Sequence, residues 1–185
     1  MKQQLRQKIA RFKFRREFSR QEPMRRSIPF ERAKTIGILY DSTDEKNFDI
    51  VKKYVKEMRE NYQKDVLALG YYDNIELPPM RFSKLGLDFF TRKDLNYFFK
   101  PVTSIVRNFI EREFDILIDL HTANSIPFRY VTALSRAKFK IGKYEKSAIR
   151  FYDMMISTTD SIQLPQFIQQ VDTYLHQLKN ESTSA

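Results

Sequence analysis

The chain of 185 residues has no cysteine and no tryptophan, and only two histidines and four glycines. Without cysteine it can form no disulfide, no thiolate zinc site and no cysteine nucleophile. His121 and His176 lie far apart in sequence, which argues against a histidine-based metal centre, and no metal is expected, although carboxylates can hold magnesium. Gly37, Gly70, Gly86 and Gly142 are too scattered for a GxGxxG or GxxxxGK[ST] phosphate loop, so no nucleotide cofactor is expected, nor any other. A G-x-S-x-G nucleophile elbow is also missing, against a Ser–His–Asp hydrolase. No apolar run reaches the roughly 18 residues of a membrane-spanning helix. The basic N-terminus lacks the apolar stretch of a secretion signal, so a cytoplasmic protein is expected.

What the chain has in excess is positive charge, unevenly placed. The formal net charge is +10. Residues 1–34 carry 12 Lys/Arg against 3 Asp/Glu, a net of +9, and the remaining residues carry 21 against 20, a net of +1. This divides the chain into a basic arm and linker at 1–33, a nearly neutral body at 34–180 and a short tail at 181–185, expected to be disordered. Such asymmetry points to a polyanionic partner for the arm. Its candidate contacts are Arg6, Lys8, Arg11, Lys13, Arg15, Arg16, Arg20, Arg25 and Arg26. RNA, free or in the ribosome, is the leading partner, reached through residues 1–30, and an anionic membrane face is the alternative. The plain reading is a solubilising tail that binds nothing in particular.

The stretch "MKQQLRQKIARFKFRREFSR" can form a helix with Leu5, Ile9 and Phe12 on one side and Phe14 and Phe18 nearly opposite. Its apolar surface is split, which weakens the membrane reading, since that needs one broad stripe. "QEPMRRSIPF", with two prolines, reads as a linker. Strands then alternate with helical patterns. "TIGILY" (35–40) and "DVLALGYY" (65–72) read as strands, "PMRFS" (79–83) as a short third, and Phe114, Ile116, Ile118 and Leu120 as one face of a central strand. "KFKIGKY" (138–144) and "YDMMIST" (152–158) complete the set. Helices are expected after a Ser42/Glu45 capping box, from Pro101, from Pro127 and over 164–178. Residues 84–100 are aromatic-rich without a clean period. The fold class expected is α/β: one Rossmann-like three-layer domain with a mostly parallel sheet, preceded by a basic helical arm.

Ligands of open α/β sheets bind beyond the carboxyl ends of the strands, where strand order reverses. If the first and central strands are neighbours there, Asp41 and Asp44 of one loop meet Asp119 and His121 of the other. His121 with Asp41 or Asp119 would then form an acid–base pair. The plainer reading, which the sequence favours, is that Ser42 and Asp44 cap a helix and His121 makes a local hydrogen bond at a strand end. The aromatics Tyr97, Phe98 and Phe99 beside Lys100 and Arg92 invite a base-stacking reading, but such loops more often seal a core edge.

The segment "FDILIDLHTANSIPFRYVTALSRAKFKIG" resembles the strand–loop–helix–strand segment in the N-terminal half of lipopolysaccharide heptosyltransferases. Asp119, Ser125, Ile141 and Gly142 match that pattern, and His121 and Thr122 replace its glutamine and glycine. The resemblance implies a shared half-fold, and as an alternative function an enzyme or enzyme remnant binding a phosphorylated or sugar ligand. The whole layout, with "KTIGILYD", "FSKLGLDFFTRKDLNYFFKP", "FDILIDL" and "SRAKFKIG", is similar to an uncharacterised Bacteroidetes family known only as a domain of unknown function. That resemblance implies no activity.

Overall fold

A computed structural model describes residues 2–20, 27–79, 81, 86–123 and 125–178. The expected disordered tail (181–185), Arg25 and Arg26 lie outside these residues. Helix α1 (Lys2–Glu17) precedes six strands: β1 (Thr35–Asp41), β2 (Asp65–Tyr72), β3 (Leu87–Thr91), β4 (Ile116–Asp119), β5 (Phe139–Lys143) and β6 (Met154–Ile156). Four helices connect or close them: α2 (Glu45–Glu60), α3 (Ser104–Glu111), α4 (Ile126–Leu134) and α5 (Leu164–Gln177). The strands form one sheet in the order β3-β2-β1-β4-β5-β6, with every pair parallel. The fold is therefore α/β and Rossmann-like, and strand order reverses between β1 and β4.

Alternation along the strands sorts their side chains into two cores. Ile36, Ile38, Ile116 and Ile118 face α2 and α5, where Val51, Val55, Phe167 and Val171 cover them. Leu39, Leu69 and Leu117 face the other way, onto Val106 and Phe109 of α3 and Phe128 and Val131 of α4. With both faces covered, the central strands read as nearly continuous apolar runs, as parallel strands do. Gly37 of β1 is part of this fit: a β-carbon there would lie 2.8 Å from the Phe114 ring.

Three sequence expectations need correction. The third strand is Leu87–Thr91; Pro79 sits in a turn, Arg81 is in no regular element, and the rest of 79–83 lies outside the described residues. The helix expected from Pro101 starts at Ser104, because Pro101 instead bridges to Leu95, and Val102 is exposed. Helix α2 is capped by Asp44, whose side chain accepts from the Lys46 N–H, so Ser42 is not the cap. Ser42 is instead buried, and its hydroxyl has no hydrogen-bond partner among the described residues.

The two apolar sides of α1 have different fates. Ala10, Phe14 and Phe18 pack with Ile126, Tyr130 and Ala133 of α4 and with Ala148 and Phe151 from a 3₁₀ turn at Lys146–Phe151. Phe14 meets Tyr130 edge-on at 4.9 Å and Phe151 at 5.3 Å. Helix α4 thus lies between the sheet and α1, and its residues from Ile126 to Ala133 are all buried. The opposite side of α1 stays in solvent, with Leu5 60 %, Ile9 41 % and Phe12 68 % exposed.

Candidate functional site

The strand ends place the candidate residues by simple geometry. Asp41 ends β1, Asp44 caps α2 one turn later, and Asp119 ends the neighbouring β4. Register pairs Leu39 with Asp119, so the two loops leave the sheet side by side. Asp41, Asp44 and His121 line one cleft of about 380 Å³, with Asn47, Thr122 and Gln163. Asp119 is absent from that lining: it is 1 % exposed and sits behind the imidazole.

Among the described residues, four donors hold Asp119. Its Oδ1 accepts from His121 Nδ1 at 2.5 Å and from the His121 backbone N–H at 3.2 Å. Its Oδ2 accepts from the Tyr152 hydroxyl at 2.6 Å and the Thr132 hydroxyl at 2.9 Å. Buried carboxylates need this degree of pairing, because an unpaired charge in low dielectric is expensive. Burial, and the Asp119 charge after it, push the Tyr152 phenol well above its ordinary range, so it stays a donor. With Nδ1–H committed to a carboxylate, neutral His121 carries its free lone pair on Nε2. The ring is clamped further by stacking on Phe128, centroid to centroid 4.3 Å and 8° from parallel. The His121 side chain is 10 % exposed and borders a second hollow of about 280 Å³, lined also by Arg129 and Lys143.

Other groups at this end were not singled out from sequence. Asp73 directly follows β2, whereas Asp41 is the last residue of β1, and the same strand-end rule would have found both. It accepts from Arg92 at 2.7 and 3.0 Å and from the Tyr71 hydroxyl at 2.8 Å. The Arg92 hydrogen bonds hold its carboxyl below the usual range. Arg129, buried on α4, bonds Glu145 and Ser147. Tyr152 is 33 residues from Asp119, and no local pattern announces that pairing. Among the described residues no group of three or more His, Asp or Glu is arranged to hold a metal ion.

The basic residues of α1 divide by what they touch. The Arg6 guanidinium lies 4.2 Å from the Phe99 ring centroid and 5.0 Å from that of Tyr97, and its Nε donates to the Tyr97 carbonyl at 2.8 Å. Lys13 Nζ sits 3.7 Å over Phe98, and Lys100 pairs with Glu17 at 2.7 Å. The aromatic loop at 97–99 therefore receives cations from α1 in the way aromatic faces do. Lys8, Arg11, Arg15, Arg16 and Arg20 are exposed.

Comparison with known families places the chain: it belongs to a family of unknown function, DUF6913, whose model matches residues 6–178, most of α1 included. No curated protein matches it.

Proposed function

We propose that the protein is a non-catalytic accessory factor that binds RNA, free or in the ribosome, through the outer face of α1. One observation carries this reading. Packing of Ala10, Phe14 and Phe18 on the body leaves Lys8, Arg11, Arg15 and Arg16 in solvent, on a segment with no carboxylate from residue 2 to 16. A helix already docked loses less freedom on binding than a free arm, and each neutralised phosphate releases counterions. Arg25 and Arg26 would extend the contact. We place this activity in the cytoplasm and the chain among Bacteroidetes proteins. Shared ancestry of the half-fold with heptosyltransferases rests on the sequence of 114–142.

A second reading has its own support. Leu5, Ile9 and Phe12 are exposed among these cations, the composition of a helix lying on an anionic membrane. Two variants separate the readings. Lys8, Arg11 and Arg15 changed together to Glu should abolish binding of a labelled single-stranded RNA. Phe12→Gln should leave RNA binding intact and weaken only binding to anionic vesicles. With four to five phosphate contacts the wild-type affinity should fall with salt at a log–log slope of about −3 to −4. RNA binding by the triple variant at wild-type strength sinks the proposal, and vesicle binding without RNA binding replaces it with the membrane reading.

The glycosyltransferase-like alternative draws support from the position of the strand-end cleft. Its phosphorylated-ligand version meets an electrostatic obstacle, since three aspartates line that cleft.

A further inference from the structure

Three polar side chains on the α2 side of the sheet are buried without a partner. The Tyr40 hydroxyl, the Ser42 hydroxyl and Nη1 of Arg81 are shut off from solvent, and none has a hydrogen bond among the described residues. Tyr40 and Ser42 are 0 % exposed and Arg81 is 7 % exposed. Native proteins leave few such groups, and each calls for a cause, a bound ion being one. The guanidinium calls for it most, because an uncompensated charge in low dielectric is strongly unfavourable.

Sheet register brings the three together. Tyr40 of β1 lies beside Gly70 of β2, and Gly70 beside Phe89 of β3. Tyr40 and Ser42 close over the place of the missing side chain. A β-carbon on Gly70 would stand 3.0 Å from Tyr40 Cζ, which carries the hydroxyl, and 2.9 Å from Ser42 Cβ. Tyr72, two residues on and on the same face, has the Arg81 guanidinium 5.0 Å from its ring centroid, and Phe48 of α2 lies at the same distance. Aromatic faces thus border the cation, and among the described residues no carboxylate pairs with it. Burial raises the Tyr40 phenol above its ordinary range, and the nearby Arg81 charge opposes this only in part, so the phenol stays a neutral donor. None of the three residues lines the acidic cleft.

We propose that Arg81, Tyr40 and Ser42 together hold one compact monovalent anion of the halide kind, at the carboxyl ends of β1 and β2 beneath α2. The donor set is one cation and two neutral hydroxyls, which one negative charge balances and a phosphate dianion would overload. The close approach of Tyr40 and Ser42 over Gly70 selects for the smallest anions. Either hydroxyl and Nη1 can turn to the ion without giving up a hydrogen bond among the described residues. The ion ties the connection between β1 and α2, through Ser42, to Arg81.

The test exchanges sodium gluconate, too large for the site, for sodium chloride at constant ionic strength. The full chain is followed by chlorine NMR line width and by thermal unfolding. Chloride should broaden saturably and raise the unfolding temperature above that in gluconate, because it binds only the folded chain. Bromide should displace it, and phosphate should do so less well. Arg81→Met should abolish the saturable broadening and the chloride dependence of unfolding. In gluconate the same variant should be at least as stable as the wild type, since it removes a buried charge that has no partner. Tyr40→Phe with Ser42→Ala should weaken chloride about tenfold or more. Lys8→Glu on α1 should change neither readout, which separates the site from the general attraction of anions to a basic chain and from the proposed RNA contact. Unfolding at one temperature in chloride and gluconate overturns the proposal, as does wild-type chloride affinity in either buried-site variant. So does phosphate displacing chloride better than bromide, or an Arg81→Met chain less stable than wild type in gluconate.

Discussion

Asp119 and Lys140 show how single buried charges shape this molecule. The Tyr152 hydroxyl supplies one of four hydrogen bonds to Asp119, and bonds to charged groups contribute about 1.5–3 kcal/mol each. Tyr152→Phe should therefore lower stability by about 2 kcal/mol in urea unfolding, more than the same change at Tyr144, which is half exposed. Lys140 on β5 is buried, and among the described residues its ammonium donates only to the Thr132 carbonyl, at 2.9 Å. Burial, partly offset by the Asp153 charge, lowers its pKa from 10.5 to about 8. Between these values the unfolded chain holds a proton that the folded chain has released, so Lys140 makes stability rise with pH from about 8 to 10.5. Below about pH 8 the folded chain carries the full cost of a buried charge. Lys140→Met should raise the urea midpoint at neutral pH and flatten the alkaline rise, a difference of at most about 3 kcal/mol. An unchanged pH profile would show that the amine is not buried as a cation.

At the scale of elements, α1 and α4 depend on each other. Helix α4 is buried on both sides because α1 covers what the sheet does not. Phe14 touches Phe18, Tyr130 and Phe151 in one aromatic cluster. Phe→Ala in such a site removes about 3–5 kcal/mol of packing, enough to release a helix that reaches the body mainly through this face. The sheet does not need α1 for its own hydrogen bonds, so the loss should appear locally. Phe14→Ala should speed trypsin cleavage between residues 6 and 20, where Lys and Arg are dense, while the main unfolding transition moves little. Cleavage at the wild-type rate would mean that Arg6, Lys13 and Glu17 hold α1 without the aromatic contact.

For the molecule as a whole, the basic segment is also a structural cover. Removing residues 2–20 would uncover Ile126, Tyr130, Ala133 and Phe151 together. A contiguous apolar surface of that kind drives self-association. The truncated chain should elute as oligomers or aggregate in light scattering, whereas the full chain with Lys8, Arg11 and Arg15 changed to Glu stays dispersed. A monomeric, soluble truncation would instead show that the chain from residue 21 onward stands without α1. For this reason the RNA contact is better tested by charge substitution than by deletion.

The α/β alternation was legible in the sequence because it rests on local periodicity. "TIGILY" and "DVLALGYY" became β1 and β2 with at most one residue changed, and the 3.6-residue spacing over 164–178 became α5. The meeting of Asp41 with His121 followed from one conditional statement, that β1 and β4 are neighbours, and the strand order supplies that condition. Strand β3 stayed hidden because four of its five residues are buried, so "LDFFT" has no clean alternation to detect. The cap at Asp44 turned on a backbone choice between two nearby candidates that spacing alone does not separate. Composition located the charge on α1, but it could not say which side of that helix faces inward. Only the tertiary structure decided that, by bringing Phe14 to Tyr130 and Phe151, more than a hundred residues away. The Asp119–Tyr152 pair and the acidic cleft were decided in the same way. Contacts between distant segments leave no period in the chain, and it is these contacts that turn strand-end polar residues into a site.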